Sequence, residues 1–201
     1  ADGALTLSAK DTGTVQSLAG GAALSLSATA AGGAVAANFI DHDTKVITNG
    51  GKLSGNGVTL SSENSSTIQS MAVGLAGGSG NAFSGSIAIG SIGNTTTTQA
   101  TNTDINAGSG VARLDAGRTG DIDILSGSAA IGGSNAVGIA LTVASIHGGV
   151  SADLITSGSI TGSALEVAAR NTASIDALAV SGAVGLGGAA GAGDVGAACG
   201  G

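Results

Sequence analysis

The chain lacks several residue types on which compact proteins rely. Its 201 residues include no proline, no tryptophan and no tyrosine, and the only phenylalanines are Phe39 and Phe83. Aromatic side chains usually fill much of a core, because each one buries a large apolar area. The interior of this protein must instead be filled by Ile, Val, Leu and Ala, which predicts thin layers that lie close together.

Charged residues are also scarce, at 9% of the chain against about 25% in an ordinary soluble domain. The 13 acidic and 6 basic side chains are scattered along the sequence and give a formal net charge of −7. Nucleic-acid binding requires a basic stripe that displaces counterions, and the sequence has none, so no nucleic-acid partner is predicted. Disorder is not indicated either, because disordered chains combine high charge with low hydrophobicity.

Three uncharged stretches approach or exceed the roughly 20 residues that cross a bilayer as a helix. They cover residues 71–102, 125–152 and 178–193. Gly and Ser recur every few residues in each stretch, so we predict no transmembrane span. The chain opens on ADGALTLSA, without the basic start and apolar run of a signal peptide. For a secreted protein, we expect the signal to lie upstream or to have been removed.

Cysteine gives little information. Cys199 is the only one, so no disulfide forms within the chain, and a single cysteine does not identify the redox compartment. We interpret Cys199 as a residue without a chemical role, the alternative being an intermolecular thiol or an attachment point.

What the sequence does contain is a repeat. The contexts TVQSLA, TIQSMA, DIDILS and SIDALA are centred on Val15, Ile68, Ile122 and Ile175, which are separated by 53, 54 and 53 residues. A fixed period of this size is typical of arrays in which each copy covers the apolar face that its neighbour leaves open. We therefore predict a single repeat array over residues 1–201, with copies at approximately 1–53, 54–107 and 108–161 and a truncated fourth copy at 162–201.

Within each copy, apolar and polar residues alternate with a period of two, which predicts β-strands with one buried face. The predicted inward positions are Leu5, Val58, Ala112 and Leu165, then Leu7, Leu60, Leu114 and Val167, then Ala9, Ser62, Ala116 and Ala169. Leu18, Met71, Leu125 and Leu178 are apolar in every copy and are predicted to continue this core stripe. Variation between copies falls on the polar positions, which we assign to solvent.

Each copy then continues into a Gly/Ala/Ser-rich tract and ends in a more polar segment. Tracts such as GLGGAAGAG at 185–193 allow sheets to approach closer than the usual spacing of about 10 Å. The length of a copy suggests about three rungs of roughly 18 residues, a coil length that parallel β-solenoids adopt. Asn64 and Asn171 occupy the same position of the second and fourth copies, which we interpret as a turn. A ladder of stacked amides there would be interrupted by Asp11 and Arg118, which occupy that position in the other two copies.

Acidic pairs are the first candidates for chemistry. Asp41 and Asp43, and likewise Asp121 and Asp123, are spaced so that both carboxylates lie on one face of a strand, where Ca²⁺ binds with backbone oxygens. A calcium site carried by the repeat would recur in every copy, and neither pair does. We therefore interpret both as solvent-face residues and predict no metal site and no cofactor.

Catalysis has equally little support. The one dense charged cluster lies in the third copy and is interpreted as a solvated face; it comprises Arg113, Asp115, Arg118, Asp121 and Asp123. His42 and His147 fall in different copies without a nucleophile beside them in the sequence. We predict that the chain is not an enzyme and assign no catalytic residues.

Two segments resemble a known family. SSTIQSMAVGLAGGSGNAFSGSIAIGSI and NTASIDALAVSGAVGLGGAAGAG are similar to repeats of very large secreted bacterial adhesins of the filamentous-haemagglutinin and leukotoxin-adhesin type. The resemblance extends over essentially the whole chain. It implies export across an outer membrane and folding outside the cell as a long β-solenoid. It carries over no catalytic or ligand-binding residues.

Together these observations predict an all-β repeat protein, a right-handed parallel β-solenoid with repeats of about 53 residues. The predicted function is the shaft of an extracellular bacterial adhesin or surface filament, located outside the cell or at the cell surface. Its expected partners are adjacent copies of itself or further repeats, with host-cell or matrix surfaces contacted by another region. Two alternatives remain open: a filament subunit that polymerises head to tail, and a β-helical polysaccharide-binding or lyase module.

Overall fold

The computed structural model describes residues 3–155 and 158–200, which contain β-strands and turns but no helix. The strands are β1 (Leu5–Ser25), β2 (Ala30–Ile40), β3 (Asp43–Asn49), β4 (Lys52–Ser54), β5 (Val58–Gly78), β6 (Ala82–Gly93), β7 (Thr95–Thr101), β8 (Asp104–Asn106), β9 (Val111–Gly132), β10 (Ala136–His147), β11 (Val150–Ile155), β12 (Ile160–Thr161), β13 (Ala164–Gly185) and β14 (Ala190–Gly200). The predicted all-β class is confirmed.

The strands form four parallel sheets. Sheet 1 has the order β1-β5-β9-β13 and sheet 2 the order β14-β10-β6-β2, while β11-β7-β3 and β12-β8-β4 form sheets 3 and 4. Val15 pairs with Ile68, Ile68 with Ile122 and Ile122 with Ile175. The sequence period is thus the register offset between neighbouring strands of sheet 1.

The prediction of three rungs per copy is wrong. Each of the first three copies contributes one strand to each sheet, so the neighbour of β1 in its sheet is β5 and not a segment about 18 residues further on. The reason is the length of β1, β5, β9 and β13, which have 21 or 22 residues each. Their period-two alternation continues from the polar region into the Gly/Ala tract without a turn.

Sheets 1 and 2 face each other, with β2 running back over the second half of β1, so that Ser17 contacts Asn38 and Gly21 approaches Gly33. Aliphatic side chains fill the space where the sheets are further apart. One cluster, around Ile68, Ile92 and Ile122, lies between sheets 1 and 2. A second, around Leu60, Leu114 and Ile105, lies between sheet 1 and sheets 3 and 4. These apolar side chains hold the strands of neighbouring copies in register.

At the Gly/Ala end the two sheets are in contact backbone to backbone. A third cluster there consists entirely of alanines. A Cβ placed on Gly74 would lie 2.2 Å from the carbonyl oxygen of Gly85, and one on Gly32 would lie 2.0 Å from that of Leu75. No other residue type fits at such distances, so the Gly/Ala tracts permit the close approach that the composition predicts.

The assignment of Leu18, Met71, Leu125 and Leu178 to the core stripe is wrong. They form a ladder on the outer face of sheet 1, where Leu18 is 74% and Leu178 57% exposed. Their neighbours Ser17, Ser70 and Ile124 point inward instead. The alternation forces the Leu18 ladder outward. Val15, Ile68 and Ile122 point inward, and the Leu18 ladder lies three positions further along each strand, an odd offset that places it on the opposite face.

Candidate functional site

One inward position of sheet 1 carries a polar or charged side chain in every copy. Asp11, Asn64, Arg118 and Asn171 occupy consecutive strands in register. This position lies in the middle of the long strands, so its interpretation as a turn is wrong. Asn64 donates from Nδ2 to Asp11 Oδ2 at 3.2 Å and to Thr44 Oγ1 at 3.2 Å. A mixed polar column therefore replaces a uniform amide ladder.

Asn94 links this column to the opposite wall. Its side chain is fully buried, and its Nδ2 donates to Asn64 Oδ1 at 2.5 Å and to Ser66 Oγ at 2.6 Å. Its Oδ1 accepts the backbone N–H of His42 at 3.0 Å. One amide thus satisfies three polar groups contributed by two copies, which fixes the corner between β6 and β7.

Replacing this amide should be costly. Asn94→Ala removes one donor to the side-chain oxygen Oδ1 of Asn64 and the acceptor of the His42 backbone N–H. Each buried group left unsatisfied costs about 1–3 kcal/mol. We expect the free energy of unfolding to fall by about 3 kcal/mol in urea titrations. Ser109→Ala, which removes a hydrogen bond to Asn56 Oδ1 at an exposed turn, is the control and should change it by less than about 1 kcal/mol.

Arg118 is the fully buried member of the charged cluster, and its interpretation as part of a solvated face is wrong. It is 2% exposed, and its Nη1 donates to the carbonyl oxygens of Asn94 at 2.9 Å and His147 at 3.0 Å. Its Nε and Nη2 have no hydrogen-bond partner. Burial lowers the pKa of this guanidinium below its ordinary value, because desolvation disfavours the charged form.

Gly148 makes room for Arg118. It has φ of +128°, and a Cβ there would lie 1.9 Å from the Asn94 carbonyl oxygen and 2.5 Å from Arg118 Nη1. Glycine is the residue that accepts both the conformation and the contact. The guanidinium is therefore held by backbone carbonyls, in an arrangement that fixes a corner of the fold.

A charged groove of about 310 Å³ crosses the outer face of sheet 1 near this column. Its walls carry Lys10, which is 3.3 Å from Glu63, and Arg170, which pairs with Asp115. The second carboxylate oxygen of Asp115 is buried without a hydrogen-bond partner. Acidic and basic groups thus line one groove, as a polysaccharide site would require, although they neutralise each other in pairs.

The predicted acidic pairs lie apart from this groove. Asp43 begins β3, and Lys45 Nζ lies 2.6 Å from its Oδ2. The hydrogen bond from Lys45, and then its positive charge, lower the pKa of Asp43 below the ordinary value. Asp41 precedes the strand, while Asp121 and Asp123 lie on the outer side of β9. Within residues 3–155 and 158–200, no three His, Cys, Asp or Glu residues are grouped as metal ligands.

We therefore expect chelation to leave stability unchanged. Asp43 is paired with an ammonium group rather than with further oxygen ligands of the kind that Ca²⁺ requires. Adding EDTA should shift the melting temperature by no more than the scatter between repeated scans. A clear downward shift with EDTA that added Ca²⁺ reverses would establish a calcium site.

The histidines and the cysteine are likewise separated. His42 Nδ1 lies 2.8 Å from Asp11 Oδ2, whereas His147 meets Arg118 through its backbone carbonyl. Cys199 is an exposed free thiol in β14. The described structure therefore does not bring Cys199 together with either histidine.

A large groove on the outer face of sheet 1 is mainly apolar, and sequence reasoning missed it. A groove of about 750 Å³ crosses all four strands of sheet 1, with the Leu18 ladder as one wall and Gln16, Gln69, Asp123 and Asp176 as the other. It arises because two ladders of long side chains stand side by side on the outer face. The sequence contained this information. Gln16 and Leu18 are two positions apart and so share one face of the strand, while Val15 lies on the other.

Comparison with known proteins adds no relative. The chain matches no protein-family model, no curated protein and no solved structure. None of the described residues forms a helix long and apolar enough to span a membrane. The stacking of the copies and the surfaces that this stacking creates are therefore the features from which a function can be inferred.

Proposed function

We propose that this chain is a shaft segment of an extracellular bacterial filamentous adhesin or surface fibre, built as a right-handed parallel β-solenoid. The observation that carries the proposal is the in-register stacking of successive copies through four parallel sheets. An arrangement of this kind extends by adding copies, because each copy contacts only its neighbours. Its product is a rod that sets the distance between an anchor and a binding region elsewhere.

The interior supports a mechanical role. Hydrogen bonds between strands run along the stacking direction, and the two aliphatic clusters continue from copy to copy. Surface charges also pair between copies, as Lys10 does with Glu63 and Arg113 with Glu166. Such contacts resist separation of the copies, which is what a shaft under tension requires.

The resemblance of its repeats to those of secreted haemagglutinin-type adhesins supports the same proposal. Export as an unfolded chain and folding outside the cell suit a protein without internal disulfides whose copies fold by stacking on one another. In this proposal the partners along the rod are further copies of the same repeat. Host-cell or matrix ligands are bound by another region.

Surface display tests the proposal. The chain is placed between an outer-membrane anchor and a terminal binding domain of known ligand, and residues 54–107 are deleted to remove one whole period. We expect export and ligand binding to persist after the deletion, with the terminal domain closer to the cell. Adhesion by the chain without any terminal domain, or loss of ligand binding on deletion, would contradict a shaft.

Head-to-tail polymerisation of the isolated chain is the second reading. In it β13 of one molecule would pair with β1 of the next in the register that the internal strands use. Arg170 would then stand beside Lys10, because both occupy the ladder of Glu63 and Gly117. Two adjacent like charges disfavour that junction, but only weakly, since each is paired with a carboxylate of its own chain. Polymerisation therefore stands second to the shaft.

The polysaccharide-binding alternative is favoured by one observation, the groove lined by Lys10, Glu63, Asp115 and Arg170. Binding of polygalacturonate or heparin, measured by isothermal titration, tests it directly. Arg170→Gln should abolish any such binding, while Lys52→Gln, outside the groove, should leave it intact. We expect no binding by the unmodified chain, because both basic residues are already paired with carboxylates.

A further inference from the structure

The outer face of sheet 2 carries no charged side chain on β2, β6, β10 or β14. Along β2, β6 and β10 its outward residues alternate with inward residues that are alanine, glycine or small and polar, up to the buried Ile40, Ile92 and Ile146 near the strand ends. Large apolar side chains are left facing solvent: Val35 is 64%, Phe39 67%, Ile139 54% and Val195 56% exposed. In an ordinary antiparallel or surface-facing sheet these positions would be polar, so this face is built to be covered.

On this sheet large apolar residues lie on the outer face and small residues on the inner face, the reverse of the usual arrangement. This reversal has a structural cause. The inner faces of sheets 1 and 2 touch through glycine and alanine at this end, which leaves no volume for large side chains inside. Large residues are therefore placed on the outer face, where Ile87 and Leu141 are only partly buried by the single chain. Exposed apolar patches of this extent mark interaction surfaces.

The face has a ridge and a groove that match each other. The ridge is the ladder of Val35, Ile87, Leu141 and Val195, apolar in every copy. Two residues earlier, the register holds Gly33, Gly85, Ile139 and Gly193. A groove of about 440 Å³ lies over Gly33 and Gly85 beside the ridge, and a Cβ on Gly85 would meet no atom of the same chain within 4 Å.

A second copy of this chain is the occupant that these features favour. The face lacks charges that would select a charged partner, and its ladders repeat at the strand spacing, which another sheet of the same kind reproduces. Strands of 11 residues in a four-stranded sheet cover about 36 by 19 Å, on the order of 700 Å² before side-chain relief is counted. That area approaches the roughly 800 Å² per partner of a stable interface.

We propose that two copies of this chain pair side by side through the outer faces of their sheets 2. A two-fold axis that runs along the stacking direction, between the faces, places the ridge of each copy over the glycine stripe of the other. The contact is self-complementary and closed, so it gives dimers rather than open chains. Both copies then stack in the same direction. This inference rests on the exposed face alone and does not require the shaft proposal.

Sedimentation velocity of the 201-residue chain tests the pairing, over a wide concentration range and in reducing buffer because Cys199 is exposed. Gly85→Gln places a side chain in the groove, and its Cβ meets no other atom of the chain within 4 Å. The matched control is Gly117→Gln in β9, where a Cβ also meets nothing within 4 Å but the residue lies on sheet 1. Circular dichroism verifies that both variants keep their strands.

We expect the unmodified chain and Gly117→Gln to form dimers and Gly85→Gln to raise the dimer dissociation constant by about tenfold or more, a loss of about 1.4 kcal/mol or more. Ile87→Thr keeps a β-branched residue on the ridge and should weaken the dimer in the same direction. It also keeps the proposal testable if Gly85→Gln does not fold.

Three results would overturn the pairing. The first is an unmodified chain that stays monomeric at all concentrations. The second is association of unlimited mass that neither variant changes, which would indicate contact between the ends of the stacks. The third is a monomer that binds phosphatidylcholine vesicles and loses this binding in Gly85→Gln, which would assign the face to lipid.

Discussion

Gly74→Val should lower the free energy of unfolding by about 3 kcal/mol or more, since overpacking a core costs about 1–3 kcal/mol even when side chains give way. Here the atom that must move is the carbonyl oxygen of Gly85, 2.2 Å from the position of the new Cβ. That oxygen belongs to a strand held on both sides, by β2 and β10. The strand cannot shift without breaking ladder hydrogen bonds, so chemical denaturation should show a large drop in midpoint.

The control for this change is Gly127→Val in β9. Gly127 lies on the outer side of the same sheet, where a Cβ would be 4.0 Å from its nearest neighbour, the Val180 carbonyl oxygen. Removing a glycine from a strand interior is expected to stabilise by about 0.5–1 kcal/mol. Equal stability of the two variants would mean that the sheets are not in backbone contact.

Ile122→Ala should produce the second large effect, a loss of about 2–5 kcal/mol. Ile122 is fully buried in the cluster that includes Ile68, Ile92 and Ile146. Strands on both sides fix its surroundings, so the cavity cannot close by collapse. The loss is measured as the change in unfolding free energy in urea.

Leu125→Ala, three residues further along the same strand, is the matched control. Leu125 belongs to the ladder on the outer face of sheet 1 and lines the open groove there. Its truncation should cost less than about 1.5 kcal/mol, below the value for full burial of a leucine. A larger loss for Leu125→Ala than for Ile122→Ala would restore the core stripe that the sequence pattern suggested.

The strand pairing was predictable because the repeat itself encodes it. Equivalent residues such as Val15 and Ile68 become neighbours when each copy lies beside the previous one. Period-two alternation likewise predicted strands with the Leu5 and Leu7 positions inward, which the structure confirms for Val58, Leu60 and Leu114. Both features depend on local pattern and period alone.

The facing of the Gly/Ala half was assigned wrongly, although the alternation contained it. Assigning the Leu18 ladder to the core assumed that larger apolar residues always point inward. Backbone contact at Gly74 and Gly32 reverses this, because the space between the sheets there admits only small side chains. Continuing the alternation from Val15 along the strand would have placed the Leu18 ladder on the outward side. The alternation carries no information, however, on the distance between the two sheets.

Arg118 illustrates a second limit. Its neighbours in the sequence are charged, so the cluster suggested a solvated face, yet its register partner Asn64 is buried. The shared ladder position was the better guide, because residues in register occupy the same side of the sheet. What the sequence could not reveal is that the carbonyls of Asn94 and His147 accept the guanidinium.

The central claim is that each copy adds one strand to each sheet of a continuous stack. Solution scattering on a derivative with eight additional tandem copies of residues 54–107, inserted after residue 107, measures this directly. At about 4.8 Å per strand, the particle should lengthen by about 38 Å with its cross-section unchanged. Lengthening by about 115 Å, as three rungs per copy would give, or growth in all dimensions as in a globular chain, would contradict it.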